Sequence, residues 1–157
     1  LGVSQGGTAM VIGLNNETAT PGNAVKAMLL ATIFNLLLGS KQLDEQGYPR
    51  TEIILSGGLV KTPELGQLVA DAFNTPVTIF DGGDEGTAWG AALMAKFRSE
   101  SLAGRATDWK QFLETQKTGT PTRFTPHNES VAILNGVFKR YQTLVHMHGQ
   151  LESVVNQ

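Results

Sequence analysis

The chain has 157 residues, with 12 Lys or Arg against 14 Asp or Glu, a net charge of -2, 41% hydrophobic and 17% charged residues, and no cysteine. That length suits one domain able to bury its own core, and the composition is that of a soluble globular protein rather than a disordered chain. Such a charge gives no basic field for nucleic acid or an acidic membrane. The lack of cysteine excludes a disulfide framework, a thiolate nucleophile and a cysteine metal site, and is compatible with a reducing cytosol.

From the beginning of the chain, Leu1 to Leu14 carries no basic n-region, so no signal peptide is read. Ser4 to Thr8 reads as a surface turn or a phosphate-binding loop, Ala9 to Leu14 as a strand, and Asn15 to Asn23 as polar loop. A chain that starts at a strand without methionine reads as an excised piece. The longest helix is expected from Pro21 or Gly22 to about Leu43, capped by Thr20. Val25, Met28, Leu29, Ile33, Leu36, Leu37 and Leu38 make it apolar on many sides, which predicts burial between layers. Its apolar run, Ala27 to Leu38, is interrupted by Thr32 and Asn35 and falls short of the roughly 20 residues that cross a bilayer.

Gln46 to Pro49 then turns the chain into Ile53-Ile54-Leu55, a short β-rich run. Ser56-Gly57-Gly58 breaks it, and Thr62-Pro63-Glu64 predicts the start of a helix reaching about Asn74. Glycine lets a backbone approach a ligand because no Cβ intervenes, and a helix start presents free N–H groups, so phosphate or ribose suits this turn. A plain structural turn would use the same residues. Neither GxGxxG nor GxxxxGK[ST] is present. On the following helix Leu65, Leu68, Val69, Ala72 and Phe73 share a face, while Gln67 and Asp71, one turn apart, read as ligand contacts or as a solvated, locally hydrogen-bonded face.

Val77 to Phe80 is the second core strand, and strands alternating with helices predict a parallel or mixed sheet. The acidic residues Asp81, Asp84 and Glu85 read as helix capping ahead of a hard-metal site. In the next helix, Gly86, Gly90 and Ala91 need space for another element or for a nucleotide, since glycine inside a helix costs ~1 kcal/mol. Arg98 to Asp108 is expected as loop, Trp109 to Thr115 as a short helix, and Thr118 to Asn128 as linker. A long amphipathic helix is expected from Glu129 to about Val155, carrying Val131, Leu134, Val137, Phe138, Tyr141, Leu144, Val145 and Leu151. His127, His146 and His148 read as surface residues, and no HExxH or GxSxG motif occurs.

The run SGGLVKTPELGQLVADAFNTPV, continued by DEGTAWGAALMAKF, resembles the C-terminal domain of the FGGY carbohydrate kinases, most of all the xylulokinase-like pentulose branch. The closing run from Phe124-Thr125-Pro126 to Tyr141-Gln142 is similar too, and Trp89 fits the aromatic that commonly precedes the Gly-Ala pair. Lys26 to Ala31 departs from the family's Arg-Ala-hydrophobic-Leu-Glu-Gly pattern. The resemblance implies an α/β fold, a partial ribonuclease-H-like (actin/Hsp70-type) domain in which residues 1–157 are a fragment of the nucleotide-binding half and about 126–155 a helical tail. It implies ATP with Mg2+ and a ketopentose or related sugar as substrate. Gly57 and Gly58 would approach the adenosine or α-phosphate, with Thr62 and Lys61 beside them. The base and the sugar pocket would lie outside this chain, leaving no catalytic residue and no metal ligand within it. Cytoplasmic location and an inactive isolated fragment complete that expectation, while the helix from Ala24 to Leu43, apolar on too many faces for the elements present to bury, and an exposed strand edge beside it predict self-association. The alternative is a nucleotide-dependent interaction module of the actin/Hsp70 kind.

Overall fold

Helix α1 (Pro21–Glu45) starts where the Thr20 hydroxyl accepts the Asn23 amide at 3.2 Å, with proline placed where its missing N–H costs nothing. The computed structural model describes residues 10–105, 107–116 and 119–155, and these divide into two units. The first unit holds the chain up to Arg50, Asp71–Phe73 and the chain from His127. Leu30, Ile33, Phe34 and Leu37 form the buried face of α1, and Val131, Leu134 and Phe138 that of α5 (Asn128–Val155). Phe34 joins the helices, its ring centroid 5.2 Å from Phe138 and 5.4 Å from Tyr141. The Tyr141 hydroxyl donates to Asn35 Oδ1 at 2.9 Å, and Lys41 Nζ stands 4.6 Å from the Phe138 ring centre.

Several expectations for this unit are corrected. The apolar run thought too short for a bilayer belongs to a 25-residue helix that is, by length and composition alone, long enough to cross one. Its core use is one-sided: Val25, Met28, Leu36 and Leu43 are 52% to 64% exposed, so burial on many sides does not occur. Residues 10–14 form no strand, and Met10, Val11, Ile12 and Leu14 are exposed, because no neighbouring strand hydrogen-bonds to them among the described residues. The Ser4 to Thr8 turn lies outside the described residues. Asp71 is buried, not solvated, and its Oδ1 accepts the backbone N–H of His127 at 2.8 Å, a partner 56 residues away.

The second unit holds Thr51–Ala70 and Asn74–Pro126. Its sheet is β1 (Ile53–Leu55), β2 (Val77–Ile79) and β3 (Thr122–Phe124) in that order, β1 parallel to β2 and β3 antiparallel to it. The mixed sheet is as expected, but β3 stands where a linker was predicted. Helix α2 (Glu64–Phe73), whose last three residues count with the first unit, covers this sheet through Gly66. A Cβ there would lie 2.5 Å from the Phe124 ring, so only glycine admits that ring. Gln67, on the same helix, donates to Thr125 O at 2.9 Å. Its role, like that of Asp71, is to hold a distant segment of chain. Helix α3 (Gly86–Leu102) continues through Arg98–Leu102, where a loop was expected. The short helix α4 (Trp109–Thr115) matches expectation, opened by the Asp108 carboxylate accepting the Gln111 amide at 2.7 Å. Phe97, Trp109 and Phe112 pack together with ring centroids 5.0 to 5.6 Å apart.

Candidate nucleotide site

Two parallel strands that end side by side deliver their loops to one place, and in open α/β sheets that place is where ligands bind. Here both loops carry a glycine pair. After β1 comes Ser56-Gly57-Gly58, and after β2 comes Phe80-Asp81-Gly82-Gly83. Gly57 N donates to Gly83 O at 2.7 Å, which ties the two turns together beyond the end of the sheet.

The four glycines are not equivalent. Gly57 has φ +82° and Gly82 φ +72°, conformations that a side chain resists. Gly83 sits against the sheet, since an added Cβ would lie 3.7 Å from Leu55 O. Gly58 has no positive φ, and a Cβ added to it meets nothing within 4 Å. The open space holds equally for Gly57 and Gly82. Backbone conformation therefore explains Gly57 and Gly82, while neither conformation nor packing within the unit demands glycine at Gly58 or at Gly83, whose added Cβ would make only ordinary contacts.

Beyond Gly58 the chain departs from expectation. It makes a 3-10 turn, Gly58–Lys61, and α2 begins only at Glu64, so Thr62 does not open the helix and the helix start does not adjoin the glycine pair. The proline at position 63 accounts for the delay: Gly66 N bonds to Pro63 O at 2.9 Å and Leu65 N to Thr62 O at 2.9 Å, a tight turn that feeds the helix. Lys61 and Thr62 are both exposed beside this turn, Lys61 as its last residue.

On the other side α3 begins hard against the first loop. A Cβ on Gly86 would come 3.0 Å from Ser56 Cβ, so the close passage that this small residue was expected to serve is found at the end of β1. Gly90 differs, with nothing within 4 Å of an added Cβ. Asp84 and Glu85 lie in a 3-10 turn before α3, and Glu85, at the cap position, makes no side-chain capping hydrogen bond. The carboxylate of Asp81 instead lies against Gly119, where any Cβ would collide with it. Among the described residues no three His, Asp or Glu side chains gather closely enough to hold a metal ion, so a protein-built magnesium cage does not fit.

Sequence reasoning singled out Gly57, Gly58, Lys61 and Thr62, which follow one another along the segment after β1. It did not single out Gly82 and Gly83. Their signal was present, a strand ending in Gly-Gly for the second time, but the acidic neighbours drew the reading toward capping and metals.

A family pattern described as the FGGY family of carbohydrate kinases, C-terminal domain, matches residues 2–99. A ribulokinase of Mycolicibacterium smegmatis is 29% identical over 119 residues, covering 76% of this chain but 20% of the ribulokinase. Among solved structures, a gluconate kinase from Lactobacillus acidophilus aligns with TM-score 0.70 at 21% identity, over 88% of this chain and 26% of that one. A xylulose kinase from the same organism gives 0.69 at 22% identity, over 87% and 26%, and one from Rhodospirillum rubrum gives 0.65 at 19%, over 90% and 27%. The likeness to those structures establishes the fold, the expected α/β class. The chain spans about a fifth to a quarter of the length of these relatives. The family pattern runs through both glycine turns and through α3 to residue 99, which makes this chain a member of the FGGY family of carbohydrate kinases, from its C-terminal domain.

Proposed function

We propose that this chain forms part of the nucleotide side of an ATP-dependent sugar kinase that passes the ATP γ-phosphate to a hydroxyl of a ketopentose or related, xylulose-like sugar. The observation that carries the reading is the Gly57 to Gly83 hydrogen bond, which joins two open glycine turns at the carboxyl ends of parallel strands. Main chain can come close to ribose and phosphate there because no Cβ stands between. Gly57 and Gly58 face the adenosine or α-phosphate, Lys61 offers a cation to the phosphates, and Thr62 offers a hydroxyl to the ribose or phosphate.

Transfer to a sugar hydroxyl also needs a carboxylate to take its proton. In this reading that base and the sugar pocket belong to the rest of a longer protein, so residues 1–157 alone are a fragment of a nucleotide-binding domain and turn nothing over. Magnesium arrives with the nucleotide. The protein works in the cytoplasm. A labelled-amide NMR titration tests the site: ADP should shift the signals of Gly57, Gly58, Gly82 and Gly83 ahead of the rest. Shifts confined to α5, or none at millimolar ADP, would overturn it.

A second reading, a nucleotide-dependent interaction module, is favoured by one observation, the exposed apolar face of α1 at Val25, Met28, Leu36 and Leu43. The same face supports self-association. The two readings separate on whether nucleotide turnover by the full-length protein requires a sugar.

A further inference from the structure

Trp89 is 51% exposed on α3. Leaving half of an indole in water is unfavourable, because aromatic side chains gain most from cover. Its position limits what can cover it. Gly86 touches Ser56 at the end of β1, and Trp89 stands three residues farther along the same helix, about one turn or roughly 5 Å of rise. Helical side chains lean back over the preceding turn, which here is the turn resting on Ser56, next to Gly57 and Gly58. Beside Trp89, Gly90 offers no side chain, and the space above it is open.

The other large apolar residues exposed on α3 do not continue a stripe from Trp89. At about 100° per residue, Met94 lies some 140° around the helix in one direction and Leu102 some 140° in the other. A helix-docking surface would set them in line. Trp89 is instead a single flat apolar group, one helical turn along from the residue that rests on Ser56 beside the first glycine turn.

We propose that Trp89 is the base-recognition residue of this site, the face on which the purine ring of the bound nucleotide stacks while the glycine turns hold ribose and phosphate. The inference rests on the nucleotide reading of the glycine turns and adds to it the choice of a nucleotide over a bare polyphosphate. Lys61 acts on phosphate and gives no such preference.

Calorimetry on the 157-residue chain with ADP and with inorganic pyrophosphate tests it. Trp89→Ala should weaken ADP roughly 5- to 100-fold, the range expected for losing one aromatic stack, and leave pyrophosphate affinity unchanged. Trp89→Phe should restore most of the loss. Because α3 buries none of its residues, neither variant should lower the melting temperature appreciably. In a second measurement, wild-type chain carrying 5-fluorotryptophan at Trp89 and Trp109 should show one fluorine signal that moves with ADP and not with pyrophosphate. If ADP binds the alanine variant as tightly as wild type, or if both ligands weaken together, stacking is refuted and the nucleotide reading stands. If wild type binds neither ligand, the nucleotide reading itself fails and this inference goes with it.

Discussion

Gly57 and Gly58 are neighbours, yet the structure constrains only Gly57. At φ +82° Gly57 is in a conformation that costs a side chain about 1 to 3 kcal/mol, so Gly57→Ala should lower the melting temperature whether or not a ligand is present. Gly58 carries no such constraint, and its identity was legible in the sequence only as half of a pair. Tyr141 offers a test far from the site. Burial raises its hydroxyl above the ordinary value of 10, so the unfolded chain ionises first as pH rises. Its contribution is complete below pH 10, where both states are protonated, and is lost as pH climbs through the folded value. Thermal unfolding between about pH 9 and about pH 11 should therefore fall more steeply for wild type than for Tyr141→Phe.

At the scale of elements, the cap of α1 was readable, that expected from Asp81, Asp84 and Glu85 was not found, and the covers were not readable. Thr20 with Pro21 marked the start of α1, because the Thr20 side chain satisfies an amide in its own turn. Apolar periodicity says which faces of α1 could be buried; only the partner decides which are, and here the partner is α5. Phe34 is 1% exposed between α1 and α5, so Phe34→Ala should cost about 3 to 5 kcal/mol in chemical denaturation. Leu36→Ala, on the exposed face of the same helix, should change stability by less than about 0.5 kcal/mol. Strand β3 escaped the sequence because Thr122-Arg123-Phe124 has two polar residues in three. It exists because β2 offers an antiparallel edge and Gly66 leaves a place for the Phe124 ring. The start of α2 was misjudged by two residues, since Thr62-Pro63 forms a tight turn before the helical bonds begin.

For the whole molecule, the family was legible because its pattern is carried by glycines and small residues at fixed offsets, and the α/β class emerged from alternating strands and helices. The sugar was not, as no residue here is argued to touch it. A coupled assay of the chain with several ketopentoses should show no ADP release above blank, and robust turnover would refute the fragment reading. Sedimentation at high concentration should show association through the exposed face of α1; a strictly monomeric chain would count against it. The most direct test of the central claim, that the joined glycine turns are a nucleotide site, is calorimetric titration of a non-hydrolysable ATP analogue into wild-type and Gly58→Val chains beside thermal unfolding. A Cβ at residue 58 meets nothing within 4 Å, so the valine chain should unfold near the wild-type temperature while its nucleotide affinity falls at least roughly tenfold, the effect of losing about 1.4 kcal/mol. A lowered melting temperature with unchanged affinity would contradict the account and leave the glycine pair as a turn.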